Sequence, residues 1–284
     1  MKLFPERPPA GPFRPAFWRS PLRGPWLTTA IGIVLLGGMV ILAVTGFLSH
    51  WPYEPDLRGN AGVPRDADLP SPFGWPSGPA YLYAVNQGLH VNIGLATIPI
   101  LLAKLWSVIP RLFAWPPARS PAHAVERASI ALLVGSSLFL MVTGVANVQY
   151  WYVFDFNFVV AHYYAAVVFV ASLAIHLVIK FPAMRRARAV HRGMRPLLRE
   201  GVADTRPEPL EAEMEEGLVP HAPAAPTMSR RGVLALAGAG SATLLLSNVG
   251  QTIGGPLRST AILAPRREGG ADFPVNKTFR ASRI

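Results

Sequence analysis

Four apolar runs, each long enough to cross a bilayer, constrain this 284-residue chain more than any other feature: residues 27–49, 81–105, 127–148 and 158–181. A shorter run follows at 232–247. Lipid offers the backbone no hydrogen-bond partners, so such segments satisfy their own as helices. The expected fold class is therefore an all-α membrane protein, with four spans in one bundle and a fifth, single transmembrane anchor. Composition agrees: 51% of the residues are hydrophobic and only 15% charged.

A formal net charge of +11 would suit a nucleic-acid binder, but the basic residues gather at span ends instead of on one soluble domain. Arg14, Arg19 and Arg23 precede the first span. Lys104, Arg111, Arg119 and Arg127 lie between the second and third. Lys180, Arg185, Arg186, Arg188, Arg192, Arg195 and Arg199 follow the fourth. The acidic residues Glu54, Asp56, Asp66 and Asp68 fall in the loop 50–79, and Asp155 in the loop 149–157. The positive-inside rule then sets a cytoplasmic N-terminus and an extracytoplasmic C-terminus in a multi-pass protein of the cell membrane. The expected partner is lipid, with no nucleic acid. Cysteine is absent, which excludes iron–sulfur clusters, covalently attached haem and disulfides within these residues.

His162 and His176 stand fourteen positions apart on the fourth span. Fourteen helical steps return to within about 40° of the starting direction and rise about 21 Å, so both imidazoles leave one face, one near each side of the membrane. Histidine within hydrocarbon is costly and marks function by default. A weak repeat pairs GGMVILAVTG at 37–46 with GSSLFLMVTG at 135–144. Span one then matches span three and span two matches span four, placing His90 at the position of His162 and Lys104 at that of His176.

His90 and His162 would share one depth, which suits the axial ligands of one b-type haem. The competing reading is two buried histidines satisfied by Ser, Thr or backbone. His176 would serve a second haem, with Lys104 or a swung-in His123 as its other ligand. Lys104 equally suits a lysine snorkelling to the cytoplasmic surface. Gly37, Gly38, Gly46, Gly135 and Gly144 would admit a flat macrocycle or a neighbouring helix. His50 is either solvated or placed to meet a quinone head or haem propionate. Arg23, Arg111, Arg119 and Arg127 are either propionate contacts or solvated positive-inside residues.

The chain divides into a Pro- and Arg-rich cytoplasmic tail (1–25), the four-span unit (26–199), an acidic linker (200–228), an anchor (229–248) and an extracytoplasmic tail or start of an exported domain (249–284). Seven prolines with Trp51, Tyr53, Phe73 and Trp75 read as an irregular cap in the loop 50–79. Glu200, Asp204, Glu208, Glu211, Glu213, Glu215 and Glu216 make the linker a solvated, disordered tether. Residues 229–247, SRRGVLALAGAGSATLLLS, read either as a retained twin-arginine signal or as an ordinary anchor with two positive-inside arginines.

Four spans with paired histidines on the second and fourth resemble membrane b-type cytochromes of the cytochrome b/b6 and formate dehydrogenase gamma-subunit type. The resemblance covers residues 27 to about 195; His90, His162 and His176 match its pattern and Lys104 departs from it. SRRGVLALAGAG and the tail ADFPVNKTFRASRI are similar to actinobacterial membrane proteins in which such a cytochrome precedes an exported molybdopterin oxidoreductase domain. These resemblances imply haem b as cofactor, one or two per chain. They also imply electron transfer between an extracytoplasmic molybdopterin oxidoreductase domain or subunit and quinone. Two other classes stay open: a haem-free anchor for an exported domain, and a quinol-oxidising reductase with its site around His50.

Overall fold

The computed structural model describes residues 5, 7–50, 68–69, 76, 78–190, 200–208 and 219–264. Five α-helices account for most of them: α1 (Pro25–His50), α2 (Leu82–Leu112), α3 (Pro121–Val148), α4 (Phe158–Val190) and α5 (Arg230–Ile253). Short 3-10 turns cover Gly11–Phe13, Pro15–Phe17 and Gly255–Thr260, and no strand occurs among the described residues. Each of the five helices is long and apolar enough to cross a membrane, α4 over Phe158–Pro182. This is a multi-pass membrane protein.

Helix boundaries follow local chemistry. Pro121 opens α3 behind Ser120, whose hydroxyl accepts from the His123 backbone N–H at 3.2 Å. Ser229 caps α5 in the same way, accepting from the Gly232 N–H at 3.1 Å. Arg127 donates to the carbonyls of Arg111 and Leu112 at 2.9 and 2.7 Å, satisfying acceptors that the last turn of α2 leaves open. Gly254, at φ +80°, ends α5 in a conformation that costs other residues strain.

The helices pack as two hairpin pairs, α1 with α2 and α3 with α4, closed by α1 against α4 and α2 against α3. That is the pairing the internal repeat suggests. One apolar cluster, Leu22, Trp26, Leu27 and Ile31, fills the end of the molecule that carries Arg23. A second, Leu35, Met39, Leu101 and Phe169, fills the middle. Val34, Val40, Val142, Val168 and Val178 are exposed on the outer faces, as lipid-facing residues are.

Two expectations change. The fifth span is not a lone anchor: α5 lies along α2. The buried Asn248 amide donates to Asn92 Oδ1 at 2.9 Å, and Asn92 donates to Thr252 Oγ1 at 2.7 Å. Gly240 brings α5 so close to Pro99 that a Cβ there would stand 3.2 Å from the proline ring. Polar pairs and small residues supply the attraction that lipid cannot. Beyond α5 the chain turns back, with Leu263 N–H bonding the Ser247 carbonyl at 3.1 Å and Gln149 Nε2 donating to the Leu263 carbonyl at 2.7 Å.

Secondly, the described start of the linker is docked. Glu200 joins Arg230, and Glu208 is buried with its Oε2 accepting from the Trp26 backbone N–H at 3.0 Å. A carboxylate at the positive end of α1 and beside an arginine outweighs its loss of water, which the composition of the segment does not reveal. Glu211, Glu213, Glu215 and Glu216 lie outside the described residues. The described part of the N-terminal tail packs: Arg23 lies over Trp106 and Trp18 at 4.6 and 5.2 Å, and Phe13 meets Phe113 and Trp115 edge-on. Trp51, Tyr53, Phe73, Trp75, His191 and the residues after 264 also lie outside the described residues.

Candidate functional site

Between α2 and α4, the rings of His90 and His162 meet edge to face, with centroids 6.2 Å apart and planes at 79°. Each ring is held from behind by the preceding helix of its own hairpin. His90 Nδ1 lies 3.1 Å from the Leu42 carbonyl and 3.2 Å from Thr45 Oγ1, both on α1. His162 Nδ1 lies 2.9 Å from Thr143 Oγ1 on α3.

These contacts set the tautomer. A carbonyl only accepts, so His90 Nδ1 carries the proton in the neutral ring and Nε2 keeps the lone pair. Thr143 spends its own hydroxyl proton on the Phe139 carbonyl at 2.8 Å, so it too accepts from the imidazole. Thr45 does the same toward Ile41 at 2.7 Å. Both rings therefore present an unprotonated Nε2 that has no hydrogen-bond partner among the described residues.

Glycines allow the approach. A Cβ on Gly46 would stand 2.9 Å from His90 Cε1, and one on Gly144 3.4 Å from His162 Cε1. The space at these two positions is taken by the imidazole edge. Gly38 faces Thr97, while Gly37 and Gly135 have open space. Thr45–Gly46 and Thr143–Gly144 are the matched ends of the two repeat segments. At the Val-Thr-Gly endings the glycines thus admit an imidazole edge, where the sequence suggested a macrocycle or a neighbouring helix, and each threonine bonds the same ring.

No family model matches the chain, and no curated protein or solved structure matches it. The donor set must therefore speak through its geometry. A metal ion shared by two imidazoles at about 2 Å each, with each centroid about 1.1 Å behind its nitrogen, puts the centroids roughly 6 Å apart. The observed 6.2 Å fits. Histidine ligands commonly donate their second ring N–H to a carbonyl or another polar group, as both do here. Two imidazoles with no third protein ligand among the described residues would leave the other coordination positions to a second ligand, for which a planar macrocycle is one candidate. Among the described residues no group of three or more metal-ligating side chains occurs, so a protein-only metal site finds no third ligand.

The other expected pair is not joined. Lys104 Nζ donates to the Thr28 carbonyl on α1 at 2.7 Å, where Gly32 makes room for it. His176 has no hydrogen bond among the described residues, and none links it to Lys104. Lys180 binds Glu126 of α3. His123 is taken up at the α3 cap, with its Nδ1 accepting from the Arg119 N–H at 3.2 Å. Of the candidate propionate arginines, Arg23 donates to the Trp106 carbonyl at 3.1 Å and Arg127 caps α2.

At the opposite end His50 is engaged rather than solvated. Its Nε2 lies 2.8 Å from Asp68, and its ring stacks on Tyr163 at 4.1 Å. Tyr163 OH donates to the same carboxylate at 2.6 Å. Burial pushes the Asp68 carboxyl up, but the hydrogen bonds from Tyr163 and His50 and the His50 charge outweigh it and hold it below the usual range. Because Tyr163 follows His162 directly, this cluster sits beside the imidazole pair.

Proposed function

We propose that this chain carries electrons through a membrane by way of a b-type haem clamped between His90 and His162. The circuit runs between an extracytoplasmic oxidoreductase domain or subunit of the molybdopterin type and the quinone pool. The observation that carries this is the imidazole pair: 6.2 Å between centroids, both Nδ1 atoms tied down and both Nε2 atoms free to ligate. Bound there, the haem supplies a one-electron couple. The residues do the rest. Thr45, Leu42 and Thr143 fix the ring tautomer, and Leu35, Met39, Leu101 and Phe169 fill the middle of the bundle.

One haem per chain is the stoichiometry this geometry supports, since Lys104 is bound to α1 and His176 is joined to no second ligating side chain among the described residues. The end bearing Arg23, Arg111, Arg127, Lys180, Arg230 and Arg231 is assigned to the cytoplasm by the positive-inside rule, which puts the His90–His162 pair in the outer half of the membrane. A haem-free anchor is the competing class. A second reading of the redox chemistry, quinol oxidation at the outer end, has the His50–Asp68–Tyr163 cluster in its favour, a ready proton-exchanging group next to the pair.

Adding quinol to the purified full-length chain tests these together. The appearance of a reduced b-type absorption band, absent in His162→Ala, is expected. A preparation with no Soret band at all would instead identify a haem-free anchor. In the second reading His50→Ala keeps the band and abolishes its reduction by quinol; an unchanged rate would place quinol elsewhere.

A further inference from the structure

Arg230 and Arg231 are adjacent in sequence and opposite in environment. Arg231 is exposed, whereas Arg230 is buried at the start of α5. The Arg230 guanidinium donates to Glu200 Oε1 at 2.8 Å, to the Arg206 carbonyl at 2.7 Å and to the Pro21 carbonyl at 3.1 Å, and its Nε lies 3.6 Å from Glu208 Oε1. Glu208 in turn caps α1 through the Trp26 N–H. It presses so closely on Gly24 that a side chain there would collide with the carboxylate. The cage therefore joins three stretches distant in sequence: the entry to α1, the acidic linker and the entry to α5.

A receptor that reads a twin-arginine pair needs both guanidinium groups in reach, and the cage leaves it only one. We propose that Arg230 has two successive partners: first an export receptor that reads it together with Arg231, then, once the chain beyond α5 has crossed, the Glu200–Glu208 cage. Docking of the linker retires the signal and fastens α5 to α1. The acidity of residues 200–208 has a purpose in this scheme, since a neutral linker could not compete for a guanidinium. The latch does not depend on haem, but it does rest on the orientation given above.

The test uses the full-length chain with a fluorescent reporter, of a kind exported only when already folded, fused after Ile284. Arg231→Lys should abolish delivery of the reporter and leave residues 200–208 as protected from protease as in the wild type. Glu200→Gln with Glu208→Gln should deliver the reporter normally while residues 200–208 are cleaved about tenfold faster or more from the cytoplasmic side. Glu208→Gln alone, which keeps the cap on Trp26, should show a smaller gain in cleavage with normal delivery. Normal delivery by Arg231→Lys would overturn the receptor step, and unchanged cleavage in the double variant would overturn the cage. A wild-type reporter retained inside would overturn the orientation, and the latch with it.

Discussion

At the scale of single residues, the site is a contest for two ring nitrogens. A hydroxyl that has already donated to its own helix, as Thr45 and Thr143 have, can only accept from an imidazole, and this turns the other nitrogen outward. The glycine after each threonine sets how closely the ring approaches its supporting helix, and the two are not equally tight. Gly46→Ala would put a methyl 2.9 Å from His90 Cε1, so the ring must move; Gly144→Ala, at 3.4 Å, makes ordinary contact. We expect Gly46→Ala to lose haem on purification and to cost about 1–3 kcal/mol in thermal stability, the usual toll of overpacking. Gly144→Ala should stay close to wild type, and equal losses in both would show that the glycines do not act through the rings. That His90 and His162 would meet was legible from spacing and repeat position alone. Their threonine supports were not, because a threonine within an apolar run looks like any hydroxyl bonded to its own turn.

At the scale of helices, α5 carries the larger lesson. Its Gly- and Ala-rich sequence, behind a linker of glutamates, reads as a solitary anchor, yet it is fastened along α2. The signals were Asn92 and Asn248, amides that no span keeps in hydrocarbon without a partner. Neither residue says which helix will satisfy it, so the pairing becomes visible only in three dimensions. Asn92→Leu leaves the Asn248 amide unpaired and should lower stability by about 1–2 kcal/mol. Replacing both asparagines by leucine should recover most of that loss in thermal unfolding of the solubilised protein. A double variant as unstable as the single one would mean that α5 is held by shape and not by the amide pair.

At the scale of the whole molecule, the spans, their pairing and the depth of the two histidines follow from hydropathy, a ten-residue repeat and helical geometry. Linker docking does not, because it depends on charges meeting across more than a hundred residues, from Glu208 to Trp26 and from Arg230 to Pro21. Composition counts such charges as solvated. The engagement of Lys104 is hidden for a related reason: repeat position aligns it with His176, but in the fold its amine donates to the Thr28 carbonyl on α1 at 2.7 Å. The central claim, one haem gripped by His90 and His162, is tested most directly by the ratio of haem to polypeptide in purified wild type, His90→Ala, His162→Ala and Lys104→Ala. We expect one haem per chain in the wild type, none in either histidine variant, and one in Lys104→Ala. Haem retained in full by His90→Ala or His162→Ala would contradict the account.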